Sequence, residues 1–177
     1  RTLCEGKRIL MTTYSIRRGF WLLDPATIPK DRLLYAATLD GMERHGRHMT
    51  LTQIRAELPR LDYRMTGTGA INEHGVRFGK GHGYFDFEWA VLSELGLTDS
   101  SSVVADVVHD CQFVNEVMPA EKHDVVVDWV VTPTQAIHID QNSRQRGRVF
   151  WELVPGTEFE QLGIVAELRT IQNLGPM

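Results

Sequence analysis

The chain has 177 residues, 42% of them hydrophobic, 24% charged and 8% aromatic, with a formal net charge of −4 and a pI near 6.0. A chain of this size buries roughly 70% of its unfolded surface, so it needs no disulfide framework or structural metal to fold. The acidic balance excludes a broad basic footprint for nucleic acid or an anionic membrane, and no apolar run approaches the roughly 20 residues of a spanning helix.

The sequence opens at Arg1 with "RTLCEGKRILMTTY", which reads as the end of one element and the start of a strand, so upstream residues are expected. Cys4 and Cys111 have neither CxxC nor metal-ligand spacing. Reduced thiols in the cytoplasm are the simplest reading, and pairing of the two is the alternative. No signal peptide is visible. Residues Ile9 to Tyr14 and Phe20 to Leu23 predict two short strands around the turn "SIRRG". After Pro25 and Pro29, "KDRLLYAATLDGMERHG" predicts one helix, with Asp31 and Arg44 placed to suit its dipole. "LDYRMTGTGAI" predicts a strand ending in a glycine-rich turn.

A helix over Tyr84 to Leu95 follows from apolar residues at 84, 87, 91, 92 and 95, with Gly96 placed as its C-cap. The valine-rich runs "SSVVADVVHD" and "HDVVVDWVVTP" suit strands buried on both faces of a parallel sheet. In "TEFEQLGIVAELR", Thr157 and Glu160 have the spacing of a capping box opening a last helix. Strands alternating with helices give an α/β fold with a mainly parallel sheet, expected as one domain over 1–177.

Three features point to chemistry. Gly79, Gly81 and Gly83 alternate with Lys80 and His82 just before the 84–95 helix. Glycines let backbone approach a phosphate, and helix N-termini attract anions. The spacing is GxGxG, which is neither a dinucleotide fingerprint nor a P-loop, so a surface turn is the competing explanation. Asp86 lies in the first helical turn, where dipole compensation and Mg²⁺ ligation are both open. Asp128 lies within "VVVDWVV", and a carboxylate so surrounded requires a hydrogen bond, a cation or a metal. The pairs His109–Asp110 and His123–Asp124 flank these strands as orienting groups or turn residues. Arg144, Arg146 and Arg148 read as a solvated loop, since no aromatic platforms are interleaved with them.

"GVRFGKGHGYFDFEWA" followed by "MPAEKHDVVVDWVVTP" resembles the 5-formyltetrahydrofolate cyclo-ligases, also called methenyltetrahydrofolate synthetases. The longer wording, with "RMTGTGAINEHG", "VVHDCQFV" and "RVFWELVP", is similar to a divergent cyclo-ligase-like branch. The resemblance implies a three-layer α/β/α fold of the NagB/RpiA/CoA-transferase kind. It also implies ATP- and Mg²⁺-dependent conversion of 5-formyltetrahydrofolate to 5,10-methenyltetrahydrofolate, ADP and phosphate. The alternative is a cyclo-ligase-like nucleotide-binding protein with another substrate or a non-catalytic role.

Carried over motif by motif, the resemblance implies ATP binding by Arg77, Phe78, Gly79, Lys80, Gly81, His82, Gly83, Tyr84 and Phe85. It puts a folate-like substrate against Gly81, His82, Gly83 and Tyr84, with Arg77 and Tyr84 in catalysis. Asp86 and Asp128 are the implied Mg²⁺ ligands. The chain departs from the family at several points. It has no counterpart of the family's basic opening helix, and Tyr14-Ser15 stands where a Pro-Arg pair is common. His82 replaces a frequent glycine, and Phe85 a frequent tyrosine.

Overall fold

The computed structural model describes residues 1–79, 81–140 and 147–175, and for Tyr14 the backbone alone. Lys80, Arg144 and Arg146 therefore lie outside the described residues. The backbone divides into two compact units, one built from Arg1–Glu57 with Glu152–Met177 and the other from Leu58–Trp151.

In the first unit, β1 (Ile9–Thr12), β2 (Phe20–Leu23) and β3 (Arg47–Met49) form an antiparallel sheet in that order. Leu3, Leu23, Ile28, Leu33 and Ala36 make a core beside it. The helix expected over 30–46 is broken into a 3-10 turn at Lys30–Arg32, α1 (Leu33–Ala36) and α2 (Leu39–His45). Thr38 ends the first piece and caps the second, its hydroxyl accepting from the Gly41 amide at 3.1 Å. The two pieces approach so closely that a Cβ on Gly41 would meet the Tyr35 carbonyl oxygen at 1.8 Å. Helix α3 (Leu51–Glu57), absent from the sequence expectation, meets the terminal helix α5 (Gly163–Ile171). The Thr52 amide donates to Glu167 Oε1 there at 3.2 Å.

The predicted capping box before α5 does not form. The Thr157 hydroxyl donates to the Val154 carbonyl at 2.6 Å and Glu160 accepts from the Gly156 amide at 2.8 Å, so both residues serve a preceding turn. A 3-10 turn occupies Glu158–Gln161, and extended Leu162 separates it from α5.

The second unit carries a four-stranded sheet in the order β10 (Ala136–His138), β9 (Trp129–Val131), β7 (Val103–Val107), β4 (Tyr63–Thr66). Strand β7 runs parallel to both β4 and β9, and β10 is antiparallel at the edge. A smaller sheet has the order β6 (Arg77–Phe78), β5 (Ala70–Asn72), β8 (Phe113–Val114). The α/β class is observed, but the pairing is mixed rather than mainly parallel. Hairpin connections such as that between β5 and β6 are too short for parallel crossovers.

Helix α4 (Tyr84–Glu94) forms where periodicity predicts it. Gly96, at φ 79°, ends it as expected, with the Leu97 amide bonding back to the Leu92 carbonyl at 3.0 Å. Trp89 on α4 packs into a core with Ile71, Val104, Val127, Val130 and Ile139. Among the described residues, no helix is long and apolar enough to cross a membrane.

Candidate functional site

The glycine stretch joins β6 to α4, a strand-to-helix turn. Gly81 and Gly83 have φ of 76° and 66°, a left-handed conformation that side-chain-bearing residues adopt only with strain. Phe78, Gly79, Gly81 and His82 are exposed, whereas Gly83, Tyr84 and Phe85 are half-buried. The His82 and Tyr84 rings stack with centroids 5.8 Å apart. The turn thus ends at the N-terminus of a three-turn helix, beside an exposed imidazole.

Arg77, at the end of β6, reaches α4. Its Nη2 donates to Asp86 Oδ1, and its Nε donates to the Val125 carbonyl at 3.3 Å. Both members of the ion pair are largely buried, with side-chain exposures of 10% and 13%. Asp86 Oδ1 also accepts from the Val125 amide at 2.8 Å. Burial raises the Asp86 pKa above the usual carboxylate value, and Arg77 and the Val125 amide oppose that rise. Asp86 is therefore more than a dipole-compensating acid. It ties α4 to β6 and to the segment leading into β9.

Asp128 immediately precedes β9. Its Oδ2 accepts from the Val104 amide at 2.7 Å, while its own amide donates to the Val104 carbonyl at 2.8 Å. The partner that its apolar neighbourhood demands includes the backbone of β7. In both aspartates a carboxylate oxygen accepts from a backbone N–H, of Val125 for Asp86 and of Val104 for Asp128. No cluster of three or more His, Cys, Asp or Glu able to hold a metal occurs among the described residues. A cation held by either carboxylate would complete its shell with phosphate oxygens and water, as Mg²⁺ does. The donor set fits that ion in kind, with Arg77 as its competitor for Asp86.

Three buried charged residues escaped the sequence reading. Arg64 on β4 donates through Nη2 to Glu88 Oε2 on α4 at 3.0 Å, and the two side chains are 12% and 10% exposed. Burial moves both towards their neutral forms, taking the Glu88 pKa to about 7 and lowering that of Arg64, so desolvation outweighs their mutual attraction. The guanidinium carbons of Arg64 and Arg77 each lie 4.5 Å from the centroid of the Phe85 ring. Asp106 on β7 is fully buried and neither carboxylate oxygen has a hydrogen-bond partner among the described residues. The signal for Asp106 was present: "VVADVV" repeats the pattern that marks Asp128 in "VVVDWVV".

The flanking histidine pairs are local. Asp110 accepts from the hydroxyls of Thr132 and Thr134, and His109 Nδ1 accepts from the Cys111 amide at 3.3 Å. Asp124 Oδ2 accepts from the Glu121 amide at 2.8 Å, closing the turn before β9.

The pattern of the 5-formyltetrahydrofolate cyclo-ligase family matches residues 1–133. A methenyltetrahydrofolate synthase domain-containing protein of Danio rerio is 28% identical over 172 residues, covering 94% of this chain and 44% of that protein. Its counterparts in Homo sapiens and Bos taurus are each 30% identical over 172 residues, with 94% of this chain and 43% of theirs covered. The chain spans less than half the length of these relatives. A family match over most of the chain, across the glycine turn, Arg77, Asp86 and Asp128, makes it a member of the 5-formyltetrahydrofolate cyclo-ligase family.

Proposed function

We propose that this chain carries the ATP- and Mg²⁺-dependent conversion of 5-formyltetrahydrofolate to 5,10-methenyltetrahydrofolate, releasing ADP and phosphate, in the cytoplasm. The observation that carries the proposal is the glycine turn between β6 and α4, backed by the buried Arg77–Asp86 pair. In this reading the chain acts as a single cyclo-ligase-like domain of the three-layer α/β/α, NagB/RpiA/CoA-transferase-like kind.

A formamide oxygen is a poor leaving group. Transfer of the γ-phosphoryl group to that oxygen, with ADP departing, converts it to a good one. The neighbouring folate N–H then closes on the carbon, losing its proton to solvent, and the C–O bond breaks to release phosphate. Phosphoryl transfer chiefly needs positioning and charge stabilisation. Arg77 and the amides of Gly79, Gly81 and Gly83 would hold the phosphates, with Phe78, His82 and Phe85 lining the nucleotide side. Tyr84, stacked on His82, would stand between nucleotide and folate. Asp86 and Asp128 would hold Mg²⁺, which when bound neutralises charge on the phosphate oxygens.

One observation favours a second reading, nucleotide binding with a different substrate or none: Asp86 is already committed to Arg77. Incubation with ATP, Mg²⁺ and 5-formyltetrahydrofolate separates the two. Near-ultraviolet absorbance of a methenyl product is expected. ATP binding without product leaves only the second reading, and no ATP binding sinks both.

A further inference from the structure

Phe85 stands where two buried ion pairs meet. The guanidinium carbons of Arg64 and Arg77 each lie 4.5 Å from the centroid of its ring, so the two like charges are within twice that length of each other. Each has its own carboxylate, Glu88 for Arg64 and Asp86 for Arg77. Arg64 comes from β4, Arg77 from β6, and Phe85, Asp86 and Glu88 from the first turns of α4.

Fastening β4 to α4 does not require this arrangement. Apolar side chains of similar volume in place of a buried ion pair often hold a fold as well or better. A second guanidinium at the ring on which Arg77 rests also adds repulsion between like charges. What the pair supplies is stiffness. Arg64 donates to Glu88 at 3.0 Å, and its guanidinium carbon lies 5.9 Å from the ring of Trp89, a core residue. A planar guanidinium held in this way fixes the aromatic ring that it abuts. Arg77 in turn is restrained by Asp86, by the Val125 carbonyl and by the Phe85 ring. A cation on Asp86 weakens the first restraint, and the ring then carries more of the task.

Resting on the assignment of Arg77 and Asp86 to the nucleotide site, we infer that Arg64 and Glu88 are positioning residues for Arg77. They fix the Phe85 ring, and the ring keeps the Arg77 guanidinium aimed while Asp86 serves a cation.

The test compares wild type with Arg64→Lys and with the double variant Arg64→Met/Glu88→Leu. Lysine keeps a charge for Glu88 but has no planar face to lay on the ring, and the double variant replaces the pair with apolar bulk. The measurements are the Arg77 Nε–H signal in ¹⁵N-labelled protein (assigned with Arg77→Lys) and ATP titration with Mg²⁺. The Arg77 signal, which senses the ring current of Phe85, is expected to move and to exchange faster with water in both variants. The Nε–H signal of Arg47, paired with Glu57 in the other unit, is expected to stay. ATP affinity should fall about tenfold, the scale on which residues that do not touch a ligand modulate its binding. An unchanged Arg77 signal in a folded variant overturns the inference, and so does one that moves together with that of Arg47, since general loosening would do that. Unchanged affinity in a protein that binds ATP also overturns it. If neither variant folds, the pair is a structural fastening and the inference falls. If wild type binds no ATP but the Arg77 signal still responds, the nucleotide assignment fails and the positioning of Arg77 stands.

Discussion

Glu88 and Asp106 have pKa values raised by burial, to about 7 and about 6. For an acid raised on folding, the stabilising contribution is present below its unfolded value and lost as pH rises through the folded one. The two groups therefore predict that the Tm falls as pH rises from about 4 to about 7, and that Asp106→Asn flattens the lower part of that slope, between about pH 4 and about pH 6. The exposed carboxylates of Glu5, Glu57 and Asp99 are lowered by arginine, lysine or serine partners, Asp99 to about 2. Their contribution is lost as pH falls through those lowered values, which places the optimum on the acid side of neutrality. Tm against pH for both proteins decides it, and a Tm rising from about pH 4 to about pH 7 would reject the assignment. Asp128→Asn keeps an acceptor for the Val104 amide, so the fold should survive. ATP affinity should lose its Mg²⁺ enhancement by about tenfold or more, the scale on which even outer-shell changes around a metal act. Titration with and without Mg²⁺ reads this directly, and an unchanged enhancement would return Asp128 to a structural role. Asp128 was legible because its neighbours are apolar. Arg64 and Glu88 were not, since pairing across β4 and α4 arises only when residues 24 positions apart fold together.

At the scale of elements, Gly75 and Gly81 have nearly the same left-handed φ but different surroundings. Gly75 lies in the β5–β6 turn, where the Asn72 side chain accepts from the amides of His74 and Val76. A Cβ there would sit 2.8 Å from the Val127 carbonyl oxygen, whereas at Gly81 nothing lies within 4 Å. Gly75→Ala is expected to cost about 2–4 kcal/mol, combining the left-handed penalty with overpacking, and Gly81→Ala about 1 kcal/mol. Urea unfolding midpoints rank the two, and a greater loss at Gly81 would contradict the packing. Sequence periodicity located α4 because its apolar spacing and Gly96 agree. It overran the α1–α2 break because Thr38 carries a cap signal inside a continuous apolar rhythm. It missed α3, whose buried face consists only of Leu51 and Ile54, too few residues to show a period. Thr157 and Glu160 had capping spacing, but competing partners in the Val154–Gly156 turn claimed both side chains.

Across the whole molecule, Cys4 and Cys111 are exposed, free thiols. Two equivalents should react with a thiol reagent without denaturant, and Cys111→Ser should remove one. Fewer than two in fresh reduced protein would show that one is occluded. The chain path has a temporal consequence. The unit bearing the glycine turn is one continuous stretch, Leu58–Trp151, whereas the other is assembled from two stretches on either side of it. As the polypeptide emerges from the ribosome, the inner unit has all its residues before α5 exists to meet α3. Domains generally fold as units during synthesis. The unit that bears the glycine turn can therefore mature first, while the other still lacks Glu152–Met177.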